Sequence, residues 1–201
     1  MTGGPVSTPH KTAATAVPLH PLLAGRWSPR GLDPQHELTQ HQLTALLEAA
    51  RWAPSASNTQ PWRFAVALRG TEEHAAVLDA LVGFNRAWAH AASALVVAAA
   101  ETHTPEGAER RWAVYDTGQA VAHLSVQAEV EGLAVHQMGG FDSERIAALL
   151  PEGVTPLVVL AIGRRDDTAE LPEPLAGREA AARDRLPLEA LQLPLGVPAS
   201  V

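Results

Sequence analysis

The sequence predicts a layered protein of the three-layer α/β or α+β kind, a sheet packed between helices. Three observations carry this. Segments of helical and of strand character alternate loosely along the chain. Residues 93–100 form a continuous apolar run of strand length, suited to a strand covered on both faces. Residues 109–131 read as one long amphipathic helix, with Val114, Ala120, Val121, Leu124, Val126 and Ala128 on its buried side.

The other elements follow in chain order. Residues 1–20, rich in Gly, Pro and Thr, are expected to be a mobile tail, and residues 21–25 a short helix. A clearer helix starts at Thr39, with the box Thr39-Gln40-His41-Gln42 and Leu38 placed to staple onto Leu43. Its stripe is Leu43, Leu46, Leu47 and Ala50, and Pro54 ends it. Residues 54–61 are too polar and too proline-bounded for helix or strand, so they form a loop. A strand over 62–68 closes at Arg69-Gly70, a helix covers about 71–82, and a loop follows at 83–85. Gly132 stands where a helix-ending glycine belongs. Next come a short strand at 133–137, a helix over 143–150 capped by Asp142, and a strand at 156–162 stopped by Gly163. After Leu171 the chain is Pro- and Arg-rich, with one short helical stretch near 188–191. That stretch has too little apolar content for a core of its own and should lie along another surface, of this subunit or a partner. No repeat or dividing linker appears, so residues 21–201 are expected to be one domain.

Composition removes whole classes of function. With 46% hydrophobic and 18% charged residues among 201, the chain suits an ordinary packed core. No apolar run approaches the roughly 18 residues of a membrane span, so no membrane partner is expected. A net charge of -7 argues against nucleic acid, whose backbone attracts a basic face. The absence of cysteine excludes disulfides, thiolate metal sites and thiol catalysis together. The N-terminus lacks the apolar stretch of a signal peptide, which points to a cytoplasmic protein. Lys11 is the only lysine; every other basic side chain is arginine, the better fork for phosphate or carboxylate.

Familiar catalytic motifs are missing. His36-Glu37 and His41 approach a zinc helix motif, but the two histidines are five apart and do not share a face as i, i+4 residues do. No metal site is expected. There is no G-x-S-x-G, no Walker loop and no G-x-G-x-x-G after a strand. Four pieces remain. Arg26-Trp27-Ser28-Pro29-Arg30 concentrates two guanidinium groups and a hydroxyl. The 54–61 loop offers Ser55, Ser57, Asn58 and Gln60. Gln137-Met138-Gly139-Gly140-Phe141-Asp142 joins a strand to a helix through two glycines that permit close backbone approach. Arg183-Asp184-Arg185 returns two more arginines, and four together suit a phosphate dianion.

In order and spacing these pieces resemble one family. Ala53-Pro54-Ser55-Ala56-Ser57-Asn58-Thr59-Gln60-Pro61-Trp62-Arg63-Phe64 is similar to the signature of the nitroreductase family of FMN-dependent NAD(P)H oxidoreductases. The segments 26–30 and 138–142 resemble that family too. So does Tyr115-Asp116-Thr117-Gly118, leading into the helix that ends Glu131-Gly132-Leu133. Arg183-Asp184-Arg185-Leu186-Pro187-Leu188 resembles its closing basic motif.

The resemblance implies an α+β three-layer sandwich, with a central, mostly antiparallel sheet flanked by helices. It also implies an intertwined homodimer whose C-terminal segment reaches over the partner. Carried onto this chain, it puts Arg26, Ser28 and Arg30, with Arg183 and Arg185, at the phosphate and ribityl end of FMN. Pro54, Ser55 and Ala56 would line the flavin from the neighbouring subunit, with Asn58 and Gln60 bracing that loop or touching the cofactor. Asn85 would face the pyrimidine edge, and Gly139 and Gly140 would lie by N5 and O4, with Trp27 and Met138 as further neighbours. Three positions depart from better-studied members: Trp27 and Trp88 replace basic or polar residues, and Gly139 an acidic one. Trp27, Trp52, Trp88 and Trp112 are otherwise expected in core or interface packing, and Tyr115 as a buried ring. The implied activity is ping-pong hydride transfer from NAD(P)H through flavin N5 to a small electrophilic acceptor, such as a nitroaromatic or quinone. The alternative is a protein of the same fold that stores or senses flavin without efficient turnover.

Overall fold

The apolar run at 93–100 lies at the centre of the sheet. In the computed structural model, which describes residues 11–196, four strands are present: β1 (Trp62–Leu68), β2 (Ala94–Ala100), β3 (Ala134–Met138) and β4 (Thr155–Gly163). Their order is β1-β2-β4-β3 and every pairing is antiparallel. Residues 1–10 of the expected tail and 197–201 of the expected domain lie outside the described residues. Seven α-helices surround the sheet among the described residues: α1 (Pro21–Gly25), α2 (Gln40–Arg51), α3 (Glu72–Ala80), α4 (Arg86–Ala89), α5 (Ala113–Val130), α6 (Ser143–Ala147) and α7 (Leu175–Ala180).

Two apolar clusters, one on each face, make the three layers. Leu46 and Ala50 of α2 and Leu124 and Ala128 of α5 pack with Val96, Leu160 and Ile162. On the other face Val77, Leu81, Trp88, Ile146 and Leu175 meet Leu95, Val97 and Val159. Successive residues of a strand point to opposite faces, so β2 supplies both clusters and needs no polar position. The fold is the expected α+β sandwich, with a wholly antiparallel sheet among the described residues. Pro156 sits in β4 without an N–H to donate, and the register slips there, Ala98 facing Val158 and Ala99 facing Pro156.

The termini of the helices follow local chemistry. Thr39 and Gln42 close the expected capping box on α2, and Asp142 accepts from the N–H groups of Glu144 and Arg145. Gly132 has φ +69°, while Leu133 N donates to Ala128 O at 2.8 Å and Gly132 N to Glu129 O at 3.3 Å. That is a Schellman stop, which a residue with a Cβ adopts only under strain.

Several expectations need correction. Helix α5 begins at Ala113, four residues late, because Glu109 pairs with His103 in an isolated bridge. Its buried stripe is Ala113, Asp116, Thr117, Ala120, Val121, Leu124, Ser125 and Ala128, while Val114 is 55% exposed and Val126 half-buried. Small residues take the inner face, and Thr117 and Ser125 satisfy their hydroxyls on the Ala113 and Val121 carbonyls. Helix α6 stops at Ala147, short of 150. Helix α7 was not expected, and its Leu175 is buried in the core of the same chain. Trp27 and Trp88 are buried, but Trp52 and Trp112 are exposed on this chain, and Tyr115 is 65% exposed rather than a buried ring.

Candidate functional site

The segment 26–31 is held from three sides. The buried Glu179 of α7 accepts from Arg30 N at 2.8 Å and Gly31 N at 3.1 Å, and its second oxygen lies 3.4 Å from the Arg30 guanidinium. His136, on edge strand β3, has Nδ1 3.0 Å from the Pro29 carbonyl and its ring 4.5 Å from that of Trp88. Burial holds this imidazole below its ordinary pKa, so it is neutral near pH 7 and donates Nδ1–H to that carbonyl. Gly31 packs against Asp166, whose carbonyl oxygen would stand 2.6 Å from any added Cβ.

Arginines from both ends of the chain meet here. Arg183 donates from Nη1 to the Lys11 and Ala24 carbonyls, each at 2.7 Å. Burial and the neighbouring charges of Arg26 and Arg185 hold its pKa below the ordinary value. Burial raises the pKa of Glu129 against the opposing pull of Arg26, Arg165 and Arg183. The Arg26 backbone N–H donates to the Leu22 carbonyl at 3.0 Å, while its guanidinium makes no hydrogen bond to a described residue. Trp27, Pro29, Glu129 and Arg165 also line a cleft of about 300 Å³.

Three residues further along the chain from His136, at the end of β3, the glycine pair begins. The Gly140 carbonyl accepts from Asn85 Nδ2 and from Val82 N, both at 3.1 Å. A Cβ on Gly140 would meet Asn85 Nδ2 at 2.9 Å, whereas Gly139 has no atom within 4 Å of that position. Met138 is buried in the core, so it can offer the site only backbone groups.

The 54–61 loop is the other half. Ala56 N donates to Asp116 Oδ2 at 3.0 Å, and Asp116 is itself buried. Gln60 N donates to Ser55 Oγ at 3.0 Å, and Gln60 Nε2 donates to the Asn58 carbonyl and side-chain oxygens. Asn58 and Gln60 therefore brace the loop. Ser57, Asn58 and Gln60 all have positive φ, 51°, 55° and 46°, an uncommon backbone for non-glycine residues. Pro54 is exposed at this loop, and Ser55 and Ala56 are half-buried.

Within one chain the two halves do not meet. The loop enters β1 at one sheet edge, and the glycine pair leaves β3 at the other. Three strand spacings separate those edges, about 14 Å.

Asp116, His136, Glu179 and Lys11 support the site and were not among the expected site residues. Asp116 left a signal, an acid on the apolar stripe of a helix; His136 and Glu179 left none. His36 and His41 take other roles: His36 Nδ1 lies 3.0 Å from Ser93 Oγ, and the exposed His41 lies 3.9 Å from Glu131.

A flavin phosphate fits the donor set. Arg26, Arg183 and Arg185 crowd together at a net cost that an anion would offset, and the open space at Gly139 would admit a flat ring.

Known proteins share this fold. A crystal structure described as an oxidoreductase containing FMN superposes with a TM-score of 0.85 at 34% identity, covering 96% of both chains. A structure from Exiguobacterium sibiricum 255-15, solved in complex with FMN, has the same fold: TM-score 0.72, 22% identity, 90% of this chain and 99% of that one. The Bacillus subtilis (strain 168) protein named "Putative NAD(P)H nitroreductase YdgI" is 26% identical over 209 residues, 85% of this chain and 94% of its own. These relatives and the family match below make the protein an oxidoreductase of the FMN-dependent class. The nitroreductase family model matches residues 23–87 and 73–164, and the chain belongs to that family.

Proposed function

We propose that the protein is a cytoplasmic homodimer binding one FMN per chain, with NAD(P)H as electron donor and a small electrophile, a nitroaromatic, quinone or similar, as acceptor. The observation that carries this is the meeting of Arg26, Arg183 and Arg185, from opposite ends of an acidic chain, at one place. When bound, FMN supplies the two-electron centre that takes hydride from the donor and returns it to the acceptor in alternate half-reactions. The chain's own groups bind and orient. The arginines hold the terminal phosphate, Glu179 and His136 fix the segment that presents Arg26, Ser28 and Arg30, and Gly139 leaves room for close backbone approach. Asp116 presets the 54–61 loop, which a second subunit would bring across to complete the site. No side chain is assigned a proton-transfer role; water supplies protons.

Purified protein should be yellow, with one FMN per chain and no FAD, and NADH or NADPH should bleach it anaerobically. Colourless protein that takes up no added FMN rejects the proposal. Yellow protein that neither nucleotide bleaches indicates the storing or sensing alternative.

The C-terminal segment tests the assembly. Leu186, Leu188, Leu191, Leu193 and Leu195 are 56–95% exposed on this chain. Five exposed leucines in ten residues suit an arm lying on a partner, and permanent dimers typically bury more than about 2,000 Å². Deleting residues 186–201 should weaken both the dimer and flavin binding, as read by light scattering and flavin fluorescence. A stable, flavin-loaded monomer after that deletion would contradict the arrangement.

A further inference from the structure

We propose, resting on the FMN assignment above, that Lys11 is a fifth cation of the phosphate site, delivered there by a strap made of residues 11–13. The strap is tied down at both margins. Ala13 N donates to Ala24 O at 2.9 Å, and Arg183 Nη1 bridges the Lys11 and Ala24 carbonyls at 2.7 Å each. The arginine expected at the phosphate thus also fixes the backbone that carries the lysine. The Lys11 ammonium lies 4.0 Å from the centroid of the Trp27 ring, beside Arg26 in sequence. Arg30, Arg183 and Glu179 are the charges acting on it.

Charge decides what this arrangement is for. Lys11, Arg26, Arg30, Arg183 and Arg185 give five positive charges, and Glu129, Glu179 and Asp184, whose carboxylate accepts from Arg185 N, three negative ones, a difference of two. Arg165 stands nearby but is paired with Asp167. A phosphate monoester carrying about -1.5 to -2 charges would bring that excess close to balance. Burial holds the Lys11 ammonium below its ordinary pKa, and an adjacent anion is the group that would reverse this. Lysine also suits the position chemically. Its charge is a compact point on a flexible stem, able to swing from the indole face to a ligand while the forked arginines keep their partners.

The test compares FMN with riboflavin, which has the ring without the phosphate, on the full-length protein carrying Lys11→Gln or Lys11→Arg. Flavin fluorescence quenching gives both dissociation constants, at low and high salt. Lys11→Gln should raise the FMN constant about tenfold, the lower end of the scale of one charge-assisted contact. Its riboflavin constant should stay within about twofold, and Lys11→Arg should retain most of the affinity, since a cation is kept. The wild-type advantage of FMN over riboflavin should shrink with salt more than that of Lys11→Gln. If Arg26→Ala weakens FMN binding and Lys11→Gln does not, the FMN assignment stands and the Lys11 proposal is overturned. Equal loss of both flavins also overturns it, showing a strap that only covers Trp27. If the wild-type protein binds neither flavin, the assignment falls and this proposal with it.

Discussion

Replacing Glu179 by Ala lowers the midpoint of thermal unfolding by about 6–12 °C. The carboxylate is buried and accepts from two backbone N–H groups, Arg30 and Gly31, while facing the Arg30 guanidinium. Hydrogen bonds to a charged acceptor contribute about 1.5–3 kcal/mol each, and the stranded donors lose solvent as well. A total near 3 kcal/mol, after some relaxation, corresponds to that shift for a domain of this length, at about 2–4 °C per kcal/mol. Glu179→Gln keeps an oxygen for the two N–H groups and loses only the charge, so it should recover at least half of the shift. Calorimetry on both variants checks this. A Glu179→Ala midpoint within a degree of wild type would mean that the segment 26–31 holds itself.

Arg183→Ala should raise the FMN dissociation constant about ten- to a hundredfold, the effect of losing one or more charge-assisted contacts. Riboflavin binding should hardly change. Arg183 also clamps the Lys11 and Ala24 carbonyls, so its loss should exceed that of Arg26→Ala, which breaks no hydrogen bond to a described residue. Lysine at 183 should rescue only part, because it cannot bridge two carbonyls and still present a fork. Titration of both flavins against each variant decides the matter. Equal weakening of the two would assign Arg183 to holding the chain ends together rather than to the phosphate.

The sheet was legible because its signals are local and strong. Strand β1 matches its expected bounds, 62–68, since Pro61 and Gly70 bracket a run that is apolar except for Arg63. The caps at Thr39, Asp142 and Gly132 were legible because capping is a contract among residues within a few positions. Helix α7 was hidden because its reason lies in tertiary packing: one leucine in the core and one buried carboxylate reaching back to Arg30 and Gly31. The face of α5 is hidden for a related reason: bulk does not mark its burial, since the inner face carries alanines and self-satisfied hydroxyls.

The site divides along the same line. The residue types at 26–30, 54–61, 138–142 and 183–185 were readable from order and spacing. Their supports were not, because Glu179 and Arg30 are separated by 149 residues and nothing local marks either as the other's partner. Asp116 lies between these cases, since an acid on an apolar stripe asks for a buried donor, which proves to be Ala56 N.

Lys11, set on the Trp27 indole, has a use at the bench. As the chain's only lysine, it is the one side-chain amine that an acylating reagent can modify. Burial lowers its pKa and so enlarges the fraction of free, nucleophilic amine at a given pH. A single acyl group would then sit 4.0 Å from the centre of a natural fluorophore. A dye attached there would be quenched against the indole and would brighten whenever the strap leaves it, with no residue of the chain replaced.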